Sequence, residues 1–497
     1  MELHPSDAFA PLGSEFGVMG GVICAMELAS NLITLGGLLM PKQIRSRTAL
    51  ASAISGLVLG ASLMAQPIAA VAGSVVTLWH TEPNPKTVGV MKEIIADYEK
   101  LNPGIKVNQE PIPWGDLDQK MQAALAAGAP PDASHGQAYV ERSLSAKGLL
   151  LPIDEVVESI GPDDIWDVVK KLNYHDGHYY GLAHAIGTDV HIIRKDYYRK
   201  AGISTTEPPK TWDEWLAQLK KLTVDTNGDG KVDVYGLGLA GPGFFINEEV
   251  YMWAGSNGGR LFDPTGRPTL TEKPIIEMLE FFKEVSDCCL APDWLSHGYL
   301  DTFAMLATGK VASILGWGRG TGYIEKYAAD VVAAGDIGVM PGKPVGPSGN
   351  AFLTQLDCEP WMIFKDGKNP QGAIDFLKFF YQPDNYRKYI QTVPIHFFPI
   401  RKSVQNDPKY LATPDLGTWK FWVDAQKNII GNHDPKPLFV TEWDDLDLPF
   451  LQEVASSGIM VEMVTDVVEG RMSAADAAAK AQKRTEKLIT QLGYKKW

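Results

Sequence analysis

The chain is poor in cysteine, with four residues in 497. Three of them, Cys288, Cys289 and Cys358, lie in the part that we expect to form the mature protein. An odd number with two adjacent members is a poor disulfide framework, even in an oxidising compartment. We therefore expect a hydrophobic core, not cross-links, to hold the fold together.

Basic residues are also scarce relative to acidic ones. Lys and Arg total 46 against 60 Asp and Glu, which gives a net charge of -14. A chain of this charge is repelled by phosphate backbones and anionic bilayers, so we exclude nucleic acid as a partner. The 45% hydrophobic content is typical of a globular protein, and the length predicts at least two domains.

Long apolar runs are missing after residue 73, where no stretch approaches about 18 uninterrupted apolar residues. We therefore expect the mature chain not to span a membrane. An export signal precedes it, with a basic segment, an apolar run and a small-x-small cleavage site in order: Lys42, Arg45 and Arg47, then 49–65, then Ala70-Val71-Ala72. We predict a signal peptide at 40–72, a periplasmic protein that begins at Gly73, and a mis-assigned or extra extension at 1–39.

Motifs of catalytic nucleophiles and metalloproteases are absent, since neither G-x-S-x-G nor H-E-x-x-H occurs. The strongest enzymatic candidate is a secreted carbohydrate-active enzyme. Such an enzyme needs two carboxylates roughly 5 to 9.5 Å apart across the glycosidic bond, and Glu82 and Asp189 are candidates. Nothing in the sequence marks either residue as an acid or a nucleophile, so we predict that the protein is not an enzyme.

Strand and helix patterns alternate along the mature chain. A buried strand at 75–79 precedes a helical pattern that ends at Leu101, and a second strand follows near 105–107. A helix at 117–127 and a short strand at 132–135 continue the alternation, which favours an α/β fold. Thr211 with Glu214 forms a capping box that predicts a helix from Trp212, and Ser473 precedes a closing helix at 474–492. Trp212 and Trp215 are expected in the core.

Nine segments together resemble family 1 extracellular solute-binding proteins, the group that includes the maltose-binding protein of sugar ABC importers. In the family's order they are TLWHTEPNP, YEKLNPGIKV, AALAAGAPPDA, GLLLPID, YYGLAHAIGTDVHIIRKDYYRKAGI, PPKTWDEW, FFINEEVYMWAGSNGGRLF, LATGKVASILGW and EGRMSAADAAAKA. Each is a loose pattern, and their order carries the resemblance.

The resemblance implies a two-lobed, type II periplasmic binding protein with mixed, mostly parallel sheets and a ligand cleft. Lobe one is expected at 75–185 plus 340–383, and lobe two at 186–339 plus 384–497. The expected function is capture of a sugar, oligosaccharide or polyol by a monomer that delivers it to an ABC permease. A ligand receiver for chemotaxis would use the same cleft.

Ligands of open α/β sheets bind beyond the carboxyl ends of the strands, which gives one set of candidate residues. The resemblance adds residues 244–248 at the start of a helix. Trp317 lies among glycines, and its ring could pack on a sugar ring. The candidates are His80, Thr81, Glu82, His135, Gln137, Thr188, Asp189, Phe244, Phe245, Asn247, Glu248 and Trp317. Ordinary solvated loop residues remain the alternative.

Two arginines bear on the class of ligand. Arg319 and Arg401 would clamp an acidic group if they face the cleft, and would form structural salt bridges if they do not.

Residues 225–233 read D-x-N-x-D-G-x-x-D, so Asp225, Asn227, Asp229, Lys231 through its carbonyl, and Asp233 match the start of a calcium loop. Gly236 replaces the bidentate Glu, which leaves a structural calcium and a plain turn both open. No other cofactor is expected.

Overall fold

A computed structural model describes residues 74–241, 243–341, 343–350, 353–432, 438–440 and 448–495. The predicted extension and signal peptide lie outside the described residues. The strands are β1 (Ser74–His80), β2 (Ile105–Pro111), β3 (Ala133–His135), β4 (Tyr174–His175), β5 (His178–Tyr179), β6 (Gly181–Thr188), β7 (Val190–Arg194), β8 (Ser313–Gly316), β9 (Ile337–Pro341), β10 (Leu353–Ile363) and β11 (Leu438–Val440).

The helices are α1 (Pro85–Leu101), α2 (Trp114–Ala126), α3 (Ala138–Ala146), α4 (Asp154–Ile160), α5 (Asp167–Asn173), α6 (Lys195–Lys200), α7 (Trp212–Leu222), α8 (Gly243–Ser256), α9 (Lys273–Cys289), α10 (Tyr299–Ala307), α11 (Thr321–Tyr327), α12 (Ala329–Ala333), α13 (Pro370–Phe380), α14 (Pro383–Ile390), α15 (Lys402–Gln405), α16 (Pro408–Leu411), α17 (Pro414–Thr418), α18 (Lys420–Asn432), α19 (Leu451–Ser456), α20 (Ile459–Val468) and α21 (Ala474–Gln491).

Local sequence signals explain where several elements begin. The predicted strands and helices near 75–79, 117–127 and 132–135 are confirmed as β1, α2 and β3 with slightly shifted ends. Thr211 caps α7 by accepting a hydrogen bond from the Glu214 N–H at 3.2 Å. Ser473 caps the predicted closing helix in the same way. Trp212 and Trp215 are buried, as expected.

Two main sheets organise the described residues. In the larger one, β1 pairs in parallel with β2 and β3, while β10 pairs antiparallel with β3 and β6 and parallel with β11. In the smaller one, β7 lies between β8 and β9, and both pairings are antiparallel. The expected mixed sheets are confirmed, but parallel pairing dominates only around β1.

The chain passes from the large sheet to the small one in a single step. Strand β6 ends at Thr188 and β7 begins at Val190, so only Asp189 separates them. The return lies between β9 and β10. Side chains at these connections are therefore held close to both sheets. The boundaries of the two lobes stay a prediction.

Hydrophobic contacts hold this arrangement together. Core clusters join both sheets to their helices, and α20 packs against α8, α9 and α21. Contrary to our expectation, Cys288 and Cys289 form a disulfide, whereas Cys358 is a buried thiol. Because the bonded residues are neighbours, the disulfide ties no distant segments together. No helix among the described residues has the length and apolar character needed to cross a membrane.

Candidate functional site

The carboxyl ends of β1 and β3 bring together the first predicted site residues. His80 and His135 end these neighbouring parallel strands, and their ring centroids are 6.1 Å apart. The backbone N–H of Thr81 donates to Nδ1 of His135 at 3.3 Å. Glu82 and Gln137 follow the same strands. All five residues are buried, so none is an ordinary solvated loop residue.

Strand β10 supplies a second set of polar side chains, which the sequence interpretation missed. Gln355, Asp357 and Glu359 alternate with Leu356 and Cys358, and the latter two belong to the hydrophobic core. Since successive side chains of a strand point to opposite faces, the three polar groups share one face. The alternation Q-L-D-C-E was the signal that could have found them.

Arg319 connects β10 to the loop after β1. Its guanidinium donates to Glu82, to Glu359 Oε1 at 3.1 Å and to His396 Nε2 at 2.7 Å. Arg319 lies just beyond β8 of the small sheet, whereas Glu359 lies in the large sheet. These charge-assisted bonds therefore link the two sheets.

A buried histidine completes this group. His184 donates from Nδ1 to the carbonyl oxygen of Glu359 at 2.8 Å, and its ring stacks on His135 with centroids 3.9 Å apart. Its Nε2 atom lies 3.0 Å from Glu359 Oε2 without the alignment of a hydrogen bond. We define Glu82, His184, Arg319, Asp357, Glu359 and His396 as the central cluster.

Burial and nearby charge set the protonation of the central cluster. Burial and the charge of Arg319 lower the pKa of His396 to about 4. Burial raises the pKa of Asp357 well above its usual range, and the charge of Glu359 adds to this. Burial also acts to raise the pKa of Glu359, but Arg319, His184 and His396 together outweigh it and hold this pKa well below its usual range. The cluster thus keeps an ionised Glu359 beside a neutral His396.

A second charged group surrounds the connection between β6 and β7. Lys343 donates to Asp189 Oδ2, and its Nζ lies 3.8 Å from Glu249 Oε2. Burial raises the pKa of Glu249 to about 7, against the opposing charge of Lys343. The sequence interpretation had predicted Asp189 as a site residue and had missed its two partners.

Helix α8 approaches β10 with the polar residues that the resemblance had indicated. Glu248 Oε2 accepts hydrogen bonds from Gln355 Nε2 at 2.5 Å and from the Tyr251 hydroxyl at 3.0 Å. Asn247 Nδ2 donates to the Ala455 carbonyl at 2.9 Å. The helix therefore extends the polar region around β10.

Aromatic rings lie at the small-sheet side of this region. Tyr299 stacks on Phe245 with centroids 5.1 Å apart and lies tilted against Trp317 at 5.8 Å. The Tyr299 hydroxyl accepts from the Trp317 N–H and donates to its carbonyl, each at 2.9 Å. The predicted Trp317 and Phe245 are thus placed together, while the side chain of Phe244 lies outside the described residues.

A cavity of about 440 Å³ opens between α2, α3, α8, α19 and α20. Its lining includes Trp114, Asp118, Tyr139 and Asn247. Aromatic faces can pack on sugar rings while carboxylate and amide groups bind hydroxyls. The volume lies within the roughly 300 to 1,000 Å³ of small-molecule sites.

Several buried atoms around the central cluster have no hydrogen-bond partner within the described part of the chain. They are His135 Nε2, Gln137 Oε1, Thr188 Oγ1, Trp317 Nε1, Asp357 Oδ1 and His396 Nδ1. Buried polar atoms are normally satisfied in native proteins. A bound molecule would find both donors and acceptors here.

The family model of bacterial extracellular solute-binding proteins matches residues 84–387, which is more than half of the chain. The chain belongs to this family.

Relatives of this solute-binding protein include a binding protein of Brucella abortus, 27% identical over 370 residues that cover 73% of this chain and 85% of the relative. The maltotriose-binding protein of Pyrococcus abyssi is 25% identical over 342 residues, 68% of this chain and 69% of that protein. A solved ABC transporter solute-binding protein from Agrobacterium radiobacter, in complex with ribitol, aligns with a TM-score of 0.67 at 21% identity and covers 84% and 99% of the two chains. The predicted two-lobed α/β fold is confirmed.

Arg401 does not join the site of this solute-binding protein, which corrects its prediction as a ligand contact. Its Nε donates to Asp164 Oδ2 at 2.7 Å, and NH1 donates to the Tyr381 carbonyl. Asp164 also accepts hydrogen bonds from Ser403. Arg401 therefore forms the structural salt bridge that was the alternative interpretation.

The calcium-like loop forms an exposed turn. Asp225 accepts hydrogen bonds from three backbone N–H groups, those of Asn227, Gly228 and Gly230. Asp229 accepts from the Lys231 N–H, and Asp233 accepts from Thr226. The carboxylates thus stabilise the turn themselves, and calcium binding stays a prediction.

The central cluster contains two sets of metal-ligating side chains. Glu82, His184 and Glu359 form one set, and Asp357, Glu359 and His396 form the other, with ligand atoms within 4.8 Å of one another in each. The guanidinium of Arg319 already bonds to acceptor atoms in both sets. The geometry therefore favours charge pairing with Arg319 over a metal ion.

Proposed function

We propose that this protein captures a sugar, oligosaccharide or polyol in the periplasm and delivers it to the permease of an ABC importer. The observation that carries the proposal is the buried polar region around the central cluster, which holds donors and acceptors that have no partner among the described residues. Family membership supports binding as the task. Relatives that bind maltotriose and ribitol support hydroxyl-rich ligands.

The chemistry of the site agrees with such a ligand. Hydroxyl groups both donate and accept hydrogen bonds, so they can satisfy the Trp317 indole N–H and the Asp357 carboxylate alike. The cavity beside Asn247 adds ring faces and volume for a larger sugar. The predicted signal peptide at 40–72 supports the periplasmic location.

Catalysis is not part of the proposal. Glu82 is bonded to Arg319, and Asp189 is bonded to Lys343. Burial raises the pKa of both carboxyl groups, and the cations oppose that rise. Each ion pair occupies an oxygen that a catalytic carboxyl group would need for the glycosidic bond. The two residues that could have formed a catalytic pair thus have other partners.

Calorimetry and thermal unfolding over hexoses, disaccharides, polyols, acidic sugars and glycerol phosphates test the proposal. We expect one hydroxyl-rich class to bind and to raise the midpoint of unfolding, because a ligand that binds only the folded state stabilises it by mass action. Chromatography of the mixture should recover the ligand unchanged. Failure of every compound to bind, or steady conversion of one of them, would contradict the proposal.

A further inference from the structure

Within the described part of the chain, the buried region between the sheets contains more carboxylates than cations. The carboxylates are Glu82, Asp189, Glu248, Glu249, Asp357 and Glu359, and the cations among the described residues there are Arg319 and Lys343. Uncompensated charge is expensive to bury, since a low-dielectric interior replaces only part of the lost hydration.

The histidines of the region do not balance this surplus. His396 Nε2 accepts a hydrogen bond from Arg319, and His135 Nδ1 accepts from the Thr81 N–H, so each ring keeps an unprotonated nitrogen. His80 donates from Nε2 to Gln109 Oε1 and accepts at Nδ1 from the Glu82 N–H. Even a doubly protonated His184 would leave carboxylates in excess.

Asp357 forms no ion pair with a Lys or Arg of the described residues. It is 7% exposed, and its Oδ1 has no partner among the described residues. Its nearest basic atom, His396 Nε2, lies 3.9 Å from Oδ2 but already accepts from Arg319.

Arg319 is already paired with carboxylates of the protein. Three of its hydrogen bonds go to Glu82, Glu359 and His396. An anionic group at this guanidinium would therefore lie beside Glu82 and Glu359 and be repelled by them. We therefore replace the hypothesis that Arg319 binds an acidic ligand with the hypothesis that the ligand is positively charged.

We propose that the ligand is a hydroxyl-rich amine, such as an amino sugar or amino polyol, and that Asp357 receives its ammonium group. This inference rests on the proposed function and specifies its ligand class. An ammonium group supplies three donors and one positive charge, which match the unpartnered Oδ1 and the surplus of carboxylates. The hydroxyl groups bind the neutral donors and acceptors around it.

Matched pairs of compounds test the inference on the full chain after dialysis against a chelator. The pairs are D-glucitol with D-glucamine, D-glucose with D-glucosamine and D-galactose with D-galactosamine, and D-glucuronate is the acidic probe. By calorimetry we expect the amine to bind at least about tenfold more tightly than its hydroxyl partner, as for a charge-assisted bond in a buried site. D-glucuronate should bind most weakly.

The variant Asp357→Asn separates charge recognition from general damage. Asn keeps the shape and removes the charge, so the preference for the amine should disappear while the neutral partner binds within about threefold of its original affinity. Asp466→Asn is the matched control, because Asp466 is also buried but pairs with Arg471 and Lys480. It should retain the full preference.

Each of the following results would overturn the inference. Equal binding within each pair, or an unchanged preference in Asp357→Asn, overturns the inference and leaves the proposed function standing. A requirement for added Zn²⁺ or Ca²⁺ overturns it in favour of a metal ion at Asp357, Glu359 and His396. Binding by none of these compounds overturns the inference, and binding of a neutral disaccharide in the wider panel would then leave the proposed function standing.

Discussion

Arg319 and Arg401 were equivalent candidates in the sequence, but they have different partners in the structure. Arg319 bonds to carboxylates of the central cluster, whereas Arg401 bonds to Asp164 and the Tyr381 carbonyl. No local pattern distinguishes them, because their partners lie far away along the chain. Residue-scale roles of this kind could not be predicted without the fold.

Replacing Arg401 with Met should destabilise the protein without weakening ligand binding. The change leaves the Asp164 carboxylate without its guanidinium, and removing one partner of a largely buried pair costs about 2 to 3 kcal/mol after allowance for the partial exposure of Asp164. Urea unfolding measures this cost. Lys402→Met is the matched control and should lose less than about 1 kcal/mol. A weakened ligand affinity in Arg401→Met would restore its role as a ligand contact.

The raised pKa of Glu249 predicts a pH-dependent stability. Burial raises this pKa to about 7, so the folded state favours the protonated acid. That contribution is full below the unfolded pKa of about 4.5 and is lost as the pH rises to about 7. Between these values the stability of Glu249→Gln should rise relative to wild type by up to about 3 kcal/mol. The exposed Glu284→Gln should show no such trend, and a flat difference for Glu249→Gln would refute the assignment.

At the scale of elements, local sequence patterns predicted most of the features that depend on residues close together in the chain. Caps at Thr211 and Ser473 fixed the starts of α7 and α21, because a capping bond involves residues only three positions apart. The pairing of β10 with β3 and β6 joins distant segments, and no local pattern encodes it. The half of the site after β1 and β3 was therefore predicted, and the half on β10 was missed.

Thr211→Ala tests the cap of α7. Loss of the hydrogen bond from the Glu214 N–H to Thr211 should cost about 1 kcal/mol, which is typical for an N-cap threonine. Thr206→Ala, in the exposed loop before the helix, is the control and should change stability by less than about 0.5 kcal/mol. Chemical denaturation checks both variants. Equal stability of the two would show that the cap contributes nothing.

At the scale of the whole molecule, Arg319 is the charged link between the sheets. A ligand that bridges both sides favours a closed state, and the ion pairs of Arg319 favour the same state. The unliganded protein therefore needs less reorganisation to close than a protein that lacks Arg319. The family resemblance predicted two lobes, but an ion-paired link between the sheets depends on packing that only the folded chain shows.

Arg319→Gln should reduce the compaction that ligand produces. Gln can donate to one carboxylate but carries no charge, so residue 319 no longer attracts Glu82 and Glu359 across the cleft. We expect the wild type to become more compact with saturating ligand by small-angle scattering, and the variant to need at least about tenfold more ligand. Arg319→Lys, which keeps the charge, should fall between them. Identical titrations of all three proteins would contradict the link.

The alternation of β10 also bears on how the family diversifies. Gln355, Asp357 and Glu359 face the site while Leu356 and Cys358 face the core, so loss or gain of one residue in this strand would exchange the two faces. Such an insertion or deletion would bury three polar groups in the core and remove the site at once. New ligand preferences are therefore expected to arise by substitution at these alternate positions, with the length of the strand preserved.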